Sequence, residues 1–198
     1  MDSRKKILPT ALALSASLVW ATLSLSAGSG VPRMSSQGPT VEPAQRTAFT
    51  ILRAKPNRPP DDLARRVERV VEGRGFGLQT SLARKVRTQL GDDAWVIPGK
   101  GYLCVVASTP IVAGCNTTAA TIAQGMSVVA ILPATFGGGK QYDLYGLAPD
   151  DVQEVVVQPE NAPALRVPVV HNVYSYAAST MLHARLVRSS PTVSAMGS

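Results

Sequence analysis

From Trp95 onward the apolar residues come in short runs or alternate with polar ones, and turn-forming residues separate the runs. That pattern predicts a small antiparallel β domain. Trp95-Val96-Ile97 reads as one strand, Pro98-Gly99-Lys100-Gly101 as a turn, and Tyr102 to Ala107 as a second strand. Ile111 to Cys115 returns as a third after Ser108-Thr109-Pro110. A loop centred on Thr109-Pro110 pairs positions whose numbers sum to 219, which sets Cys104 opposite Cys115. Directly paired β positions lie within the Cα separation that a disulfide needs. Met126 to Leu132 is a nearly continuous apolar run of the kind a buried strand shows, bounded by Pro133 and Gly137-Gly138-Gly139. Further strands are predicted over Tyr142 to Leu147, Val152 to Gln158 and Leu165 to Tyr176, the last as one strand or two because Pro168 interrupts it. Asn116 to Gln124 fits a short helix or a crossover, and Ala48 to Arg53 a short first strand or an extended segment docked on the domain.

Ahead of Trp95 the spacing becomes helical. Asp61 or Asp62 caps a helix whose Leu63, Val67, Val70 and Val71 share one face before Gly73 stops it. A second helix is predicted from Ser81, with Leu82, Val86 and Leu90 on one stripe and Gly91 as its end. The expected fold class is therefore mainly β (α+β), a small antiparallel sandwich or partly open barrel preceded by two short helices.

The N-terminus has another character. Ile7 to Ala27 is a 21-residue stretch without a charge, preceded by Arg4, Lys5 and Lys6. This is the order of an export signal, and residues 1–28 read as a signal peptide or a transmembrane anchor. Ser26-Ala27-Gly28 offers small residues for cleavage, and the positive flank places everything after Gly28 outside in either case. Residues 29–47, rich in Gly, Ser, Pro and Gln, read as a flexible linker, residues 48–188 as the extracytoplasmic domain with a helical arm over 61–91, and 189–198 as a loose tail. Two cysteines in an exported chain fit an oxidising compartment and a disulfide between Cys104 and Cys115.

The formal net charge of +7 is unevenly placed: Arg46 to Lys100 carries twelve Lys/Arg against six Asp/Glu, whereas from Gly101 onward the count is four against five. Arg65, Arg66, Arg69, Arg84, Lys85 and Arg87 are the candidate contacts to an anionic surface such as lipid headgroups or cell-wall polymer, set against the plainer reading of a solvated helix face. Nucleic acid is a poor partner for an exported chain that carries no binding motif.

Catalytic candidates are few. His171 and His183 are the two histidines, and no G-x-S-x-G elbow exists for a serine hydrolase. His171 with Ser175 and Asp143 is the one constellation to weigh, and a cysteine nucleophile is lost if Cys104 and Cys115 are bonded. Phe136-Gly137-Gly138-Gly139-Lys140 lacks the outer glycine and the Ser or Thr of a phosphate loop, and Asp92-Asp93 and Asp150-Asp151 lack alternating ligand spacing for calcium. No cofactor and no metal site are expected. Leu132 to Phe136 lacks the closing glycine of a wall-sorting signal, and Asn116-Thr117-Thr118 fits a glycosylation acceptor.

The runs W-V-I-P-G-K-G-Y-L-C-V-V, G-L-A-P-D-D-V-Q-E-V-V-V and V-H-N-V-Y together resemble a group of small exported or membrane-anchored actinobacterial proteins to which no function is assigned. The resemblance covers roughly Ala48 to Ala177, with Asp151 and Val170-His171 as departures. It implies location and architecture and no catalytic residues. The chain thus reads as a non-catalytic extracytoplasmic envelope interaction module, membrane-tethered or secreted; the alternatives are a small secreted hydrolase using His171 and binding of anionic lipid or wall polymer through the basic helices.

Overall fold

A computed structural model describes residues 38–71, 75–133 and 139–188. The expected export segment, the expected linker as far as residue 37, the helix stop expected at Gly73, residues 134–138 and the expected loose tail lie outside the described residues. Among the described residues no helix is long and apolar enough to cross a membrane.

The protein is mainly β, with antiparallel sheets that do not close into a barrel. Strands β1 (Arg84–Arg87), β2 (Asp93–Pro98), β3 (Tyr102–Ser108) and β4 (Ile111–Thr117) form the first sheet in sequential order. The second sheet runs β5 (Met126–Pro133), β6 (Lys140–Leu147), β9 (Val173–Ala178), and the third runs β10 (Leu182–Val187), β7 (Glu154–Pro159), β8 (Leu165–Pro168). The α-helices among the described residues are α1 (Pro43–Ala48), α2 (Asp61–Val71) and α3 (Thr118–Gln124).

The layers follow from which faces are apolar. Ala94, Val96, Leu103 and Val105 face the second sheet, where they meet Met126, Leu147 and Val173. Their alternates Trp95, Ile97, Cys104 and Val106 face the other way, onto Leu63 and Val67 of α2. Being covered on both faces is why β2 and β3 read as continuous apolar runs rather than alternations. The second sheet is covered twice as well: Leu144 and Tyr174 pack on Val155, Val157, Val167 and Leu182 of the third sheet. The order is therefore α2, first sheet, second sheet, third sheet.

Cys104 pairs with Cys115 in the β3–β4 ladder, in the expected register, and the two are joined by a disulfide with Cα atoms 4.1 Å apart. The ring spans a sequence separation of 11, and loop-closure entropy gives such a ring about 3 kcal/mol at most. Replacing both cysteines by alanine is expected to lower the free energy of unfolding by up to about that amount. Urea titration of the oxidised wild type against the double variant checks it, and equal midpoints would remove the bridge from the account of stability.

The structure differs from the sequence expectations in four places. Residues 81–91 form no second helix: Thr80–Leu82 is a 3-10 turn, followed by β1. The four-residue spacing of Leu82, Val86 and Leu90 suits a helix, but residues 84–87 also alternate, inward at Arg84 and Val86 and outward at Lys85 and Arg87, and pairing with β2 decides. The linker ends earlier than residue 47, because α1 starts at Pro43 and Gln45 is wholly buried. Residues 48–53 are neither strand nor extended segment but the end of α1 and a 3-10 turn, Thr50–Arg53. Leu182–Val187 is a strand the pattern had not indicated. Leu165 to Tyr176, expected as one strand or two, resolves as two, in two different sheets. Asn116 to Gln124 resolves as the end of β4 and α3, with the Thr117 hydroxyl capping the Ala120 amide.

Candidate functional site

The polar side chains fall into three groups, each set by its element. The first ties a strap, Glu42 to Ala54, across the end of the first two sheets. Glu42 accepts from the Gly101 amide at 2.8 Å, and the Gln45 amide donates to the carbonyls of Gly99 (3.0 Å) and Tyr102 (2.9 Å) in the β2–β3 turn. Phe49, Ile51 and Leu52 then enter the core beside Val86 and Val173. At the far end, Asp150 accepts from the Thr50 amide (2.7 Å), the Thr50 hydroxyl (2.8 Å), Arg53 (2.9 Å) and the Asn172 amide (2.8 Å). Asn172 also accepts from the Ile51 amide at 2.9 Å.

Burial works to raise the Asp150 carboxyl, but the hydrogen bonds from Asn172 and Thr50 and the charge of Arg53 hold it below the usual carboxylate range. A depressed folded value means that its stabilisation is fully present above the unfolded value of about 4 and is lost as pH falls through the folded value. Urea midpoints measured from pH 6 to pH 2 are expected to fall more steeply for wild type than for Asp150→Asn. Parallel profiles would show that this carboxylate has no part in the acid response.

The second group closes the other end of the same two layers. The β1–β2 loop brings Asp92 to the Tyr145 hydroxyl, which donates to it at 2.9 Å, while Thr88 donates to the other carboxylate oxygen. Burial, then the bond to Asp92 and the nearby charges of Asp92 and Asp143, push the Tyr145 phenol up, so it stays a donor. Ser175 is 2% exposed and donates to Gln89 at 2.9 Å. Ser175 and Asp143 do share one face of the second sheet, since Tyr145 pairs with Ser175 and Asp143 with Ala177. His171 is not with them: it lies exposed in the turn before β9, at φ 50°, while the strand runs away from it. The Ser175 hydroxyl is engaged by a glutamine rather than an imidazole, and His183 is exposed on β10. This network was invisible in sequence because Thr88, Gln89 and Asp92 sit in a loop without a motif.

The third group is the basic one. Arg65, Arg66 and Arg69 are exposed on α2, and Lys85 and Arg87 project from β1 on the same side of the first sheet, Lys85 opposite Trp95 and 5.7 Å from its ring centre. Arg84 is not a surface contact. It is 6% exposed, and its guanidinium donates to the carbonyls of Ala54 (2.6 Å), Leu52 (3.1 Å) and Leu82, clamping the end of the strap. Buried guanidinium persists here because carbonyls replace its water. The five that remain on one side are partly neutralised. Asp93 holds Lys85 at 2.7 Å and Arg87 at 3.4 Å, while on α2 the carboxylates Asp62 and Glu68 lie in the same helix as Arg65, Arg66 and Arg69 and Asp61 pairs with Arg58 at 3.1 Å. The Lys85 hydrogen bond, then the charges of Lys85 and Arg87, keep the Asp93 carboxyl below its ordinary range against the effect of burial. Charges paired this way at a surface leave a weak field for an anionic partner.

Among the described residues no group of three or more His, Cys, Asp or Glu side chains converges as a metal site would require. The surface grooves among the described residues include one of about 400 Å³ between the β7–β8 turn and Tyr176, and one of about 500 Å³ between the end of α3 and β10. No protein-family model matches the chain, and neither does any curated protein or solved structure.

Proposed function

We propose that this chain works outside the cytoplasm as a non-catalytic envelope module, tethered or released, that contacts another envelope component. The observation that carries the reading is the Cys104–Cys115 disulfide, a bond that persists in oxidising compartments. The charged-then-apolar order of residues 4–27 and the resemblance to small exported actinobacterial proteins point the same way. The side chains weighed for a hydrolase are apart: Ser175 is bonded to Gln89, and His171 stands in an exposed turn.

Alkylation of acid-quenched cells, with and without prior reduction, combined with fractionation, tests location. The expected result is a chain in the membrane or the medium that takes up label only after reduction. A cytosolic chain with reactive thiols would overturn the reading. Generic ester and peptide substrates test the second half; turnover lost on His171→Ala would install the hydrolase in its place.

A further inference from the structure

Among the described residues the third sheet ends in β10, whose outer backbone pairs with no other strand, and the parity of its hydrogen bonds identifies which groups face outward. The Glu160 amide donates to the Met181 carbonyl at 3.0 Å, so positions 160 and 181 are a hydrogen-bonded pair. In the same register, His183, Arg185 and Val187 then bond to Gln158, Val156 and Glu154. On the other side of β7 the Val169 amide donates to the Gln153 carbonyl at 2.8 Å, which assigns Val155 and Val157 to β8. The two observations agree. The N–H and C=O groups of Leu182, Ala184 and Leu186 consequently point away from the sheet, along its edge.

This edge is not flat surface. The groove of about 500 Å³ runs beside it, with Ala184, Arg185, Leu186 and Arg188 on one side and Ala123 and Gln124 of α3 on the other. Leu186 packs against Gly125, the residue before β5. Val129 of β5 is packed into the core between the second and third sheets, and Ile131, two positions along the same face, is 55% exposed.

Resting on the reading of the chain as an interaction module, we propose that β10 accepts an extended acidic peptide segment of another protein as an added strand. Backbone pairing supplies the affinity, and the side-chain period supplies the specificity. A residue of the added strand beside Ala184 or Leu186 projects toward the second sheet and is apolar. One beside Arg185 projects to the outer face and is acidic, because directly paired opposite charges are favoured. Arg185 has no ion pair among the described residues and no carboxylate lines the groove, whereas Arg188, its other arginine, is held by Asp151 at 3.0 Å and by the Ile122 carbonyl of α3, so Arg185 is the charge left to an acidic residue. The same charges disfavour a second copy of this chain. Two β10 edges paired about Arg185 stack the two guanidinium groups.

The probe is a fluorescein-labelled peptide of alternating glutamate and valine, titrated into the full-length chain, with an alternating lysine and valine peptide beside it. The glutamate peptide is expected to bind, to weaken as salt rises, and to slow hydrogen exchange at Ala184 and Leu186; the lysine peptide is not. Ala184→Pro removes an outward N–H that the ladder does not use, and an edge strand tolerates proline there. It is expected to weaken binding at least tenfold with an unchanged urea midpoint. Arg185→Glu, which leaves the backbone alone, is expected to weaken the glutamate peptide at least tenfold and to admit the lysine peptide. Equal binding of both peptides, binding indifferent to both variants, or no binding at low salt would each overturn the proposal. So would a concentration-dependent dimer abolished by Ala184→Pro, which would give the edge to a second copy. These titrations use purified chain and do not depend on its compartment, so their failure is separate from failure of the location test.

Discussion

Asn172→Ala is expected to lower the free energy of unfolding by about 3 kcal/mol, a large share of the stability of a domain this size. Three losses add. The Ile51 amide loses its acceptor at 2.9 Å, and the Ala148 carbonyl loses its donor at 3.0 Å. Each buried group left unpaired costs roughly 1–3 kcal/mol. The backbone at residue 172 has φ 67°, a region that asparagine tolerates and alanine occupies at a cost of about 1 kcal/mol. Asp150 also loses one of its donors, the Asn172 amide at 2.8 Å. Asn172→Gly separates the terms, since it relieves the backbone cost and restores none of the hydrogen bonds. It is expected to recover about 1 kcal/mol relative to alanine. Urea unfolding reads the total, and hydrogen exchange at residues 50–53 reads the detachment of the strap. A change below about 0.5 kcal/mol for alanine would mean that the strap is held by its apolar residues alone.

What the sequence disclosed and what it hid divide along a physical line. Strands β2 and β3 were legible because burial on both faces leaves continuous apolar runs, β4 to β7 because β-branched and apolar residues run between turn-forming ones, and the β3–β4 register because a short loop leaves little choice of pairing. The strap was hidden because it is held by polar contacts: Gln45 and Asn172 are buried polar residues, 0% and 6% exposed, whose partners lie from 22 to 121 positions away. β1 was misread because its buried charge, Arg84, is satisfied by carbonyls of residues 52 to 54 and 82 to 83, which no local pattern records. Strand β10 escaped because its inner positions Leu182, Ala184 and Leu186 alternate with His183 and Arg185, a weak signal next to the apolar runs before it. The same weakness is what an edge strand shows, with polar side chains outward and one side of its backbone free.

Gly146→Ala is expected to be a costly addition of a single methyl group. Gly146 pairs with Ser127 on one side and Tyr174 on the other, in the middle strand of the second sheet. The Tyr174 ring lies across it, so a Cβ built at residue 146 would fall 2.0 Å from the ring Cζ and 2.3 Å from the hydroxyl oxygen. No rotamer change of an alanine relieves that contact; the ring itself must leave. Tyr174 is 2% exposed, its hydroxyl donates to the Met126 carbonyl at 3.1 Å, and burial pushes its phenol up to about 12, so the donor is present at all ordinary pH values. Displacing it forfeits the hydrogen bond, about 1 kcal/mol net, and repacks the core between the second and third sheets, about 1–3 kcal/mol. The expected loss is therefore about 2–4 kcal/mol, read as a lowered urea midpoint. A double-mutant cycle isolates the cause. In a Tyr174→Ala background, itself destabilised by about 3 kcal/mol or more, the added methyl meets empty space, and Gly146→Ala becomes nearly neutral. Additive losses in that cycle would place the cost in the strand backbone rather than in the ring. A glycine covered by a cross-strand aromatic ring is thus a packing partner of that ring, although in the sequence it has the look of an ordinary strand-breaking residue.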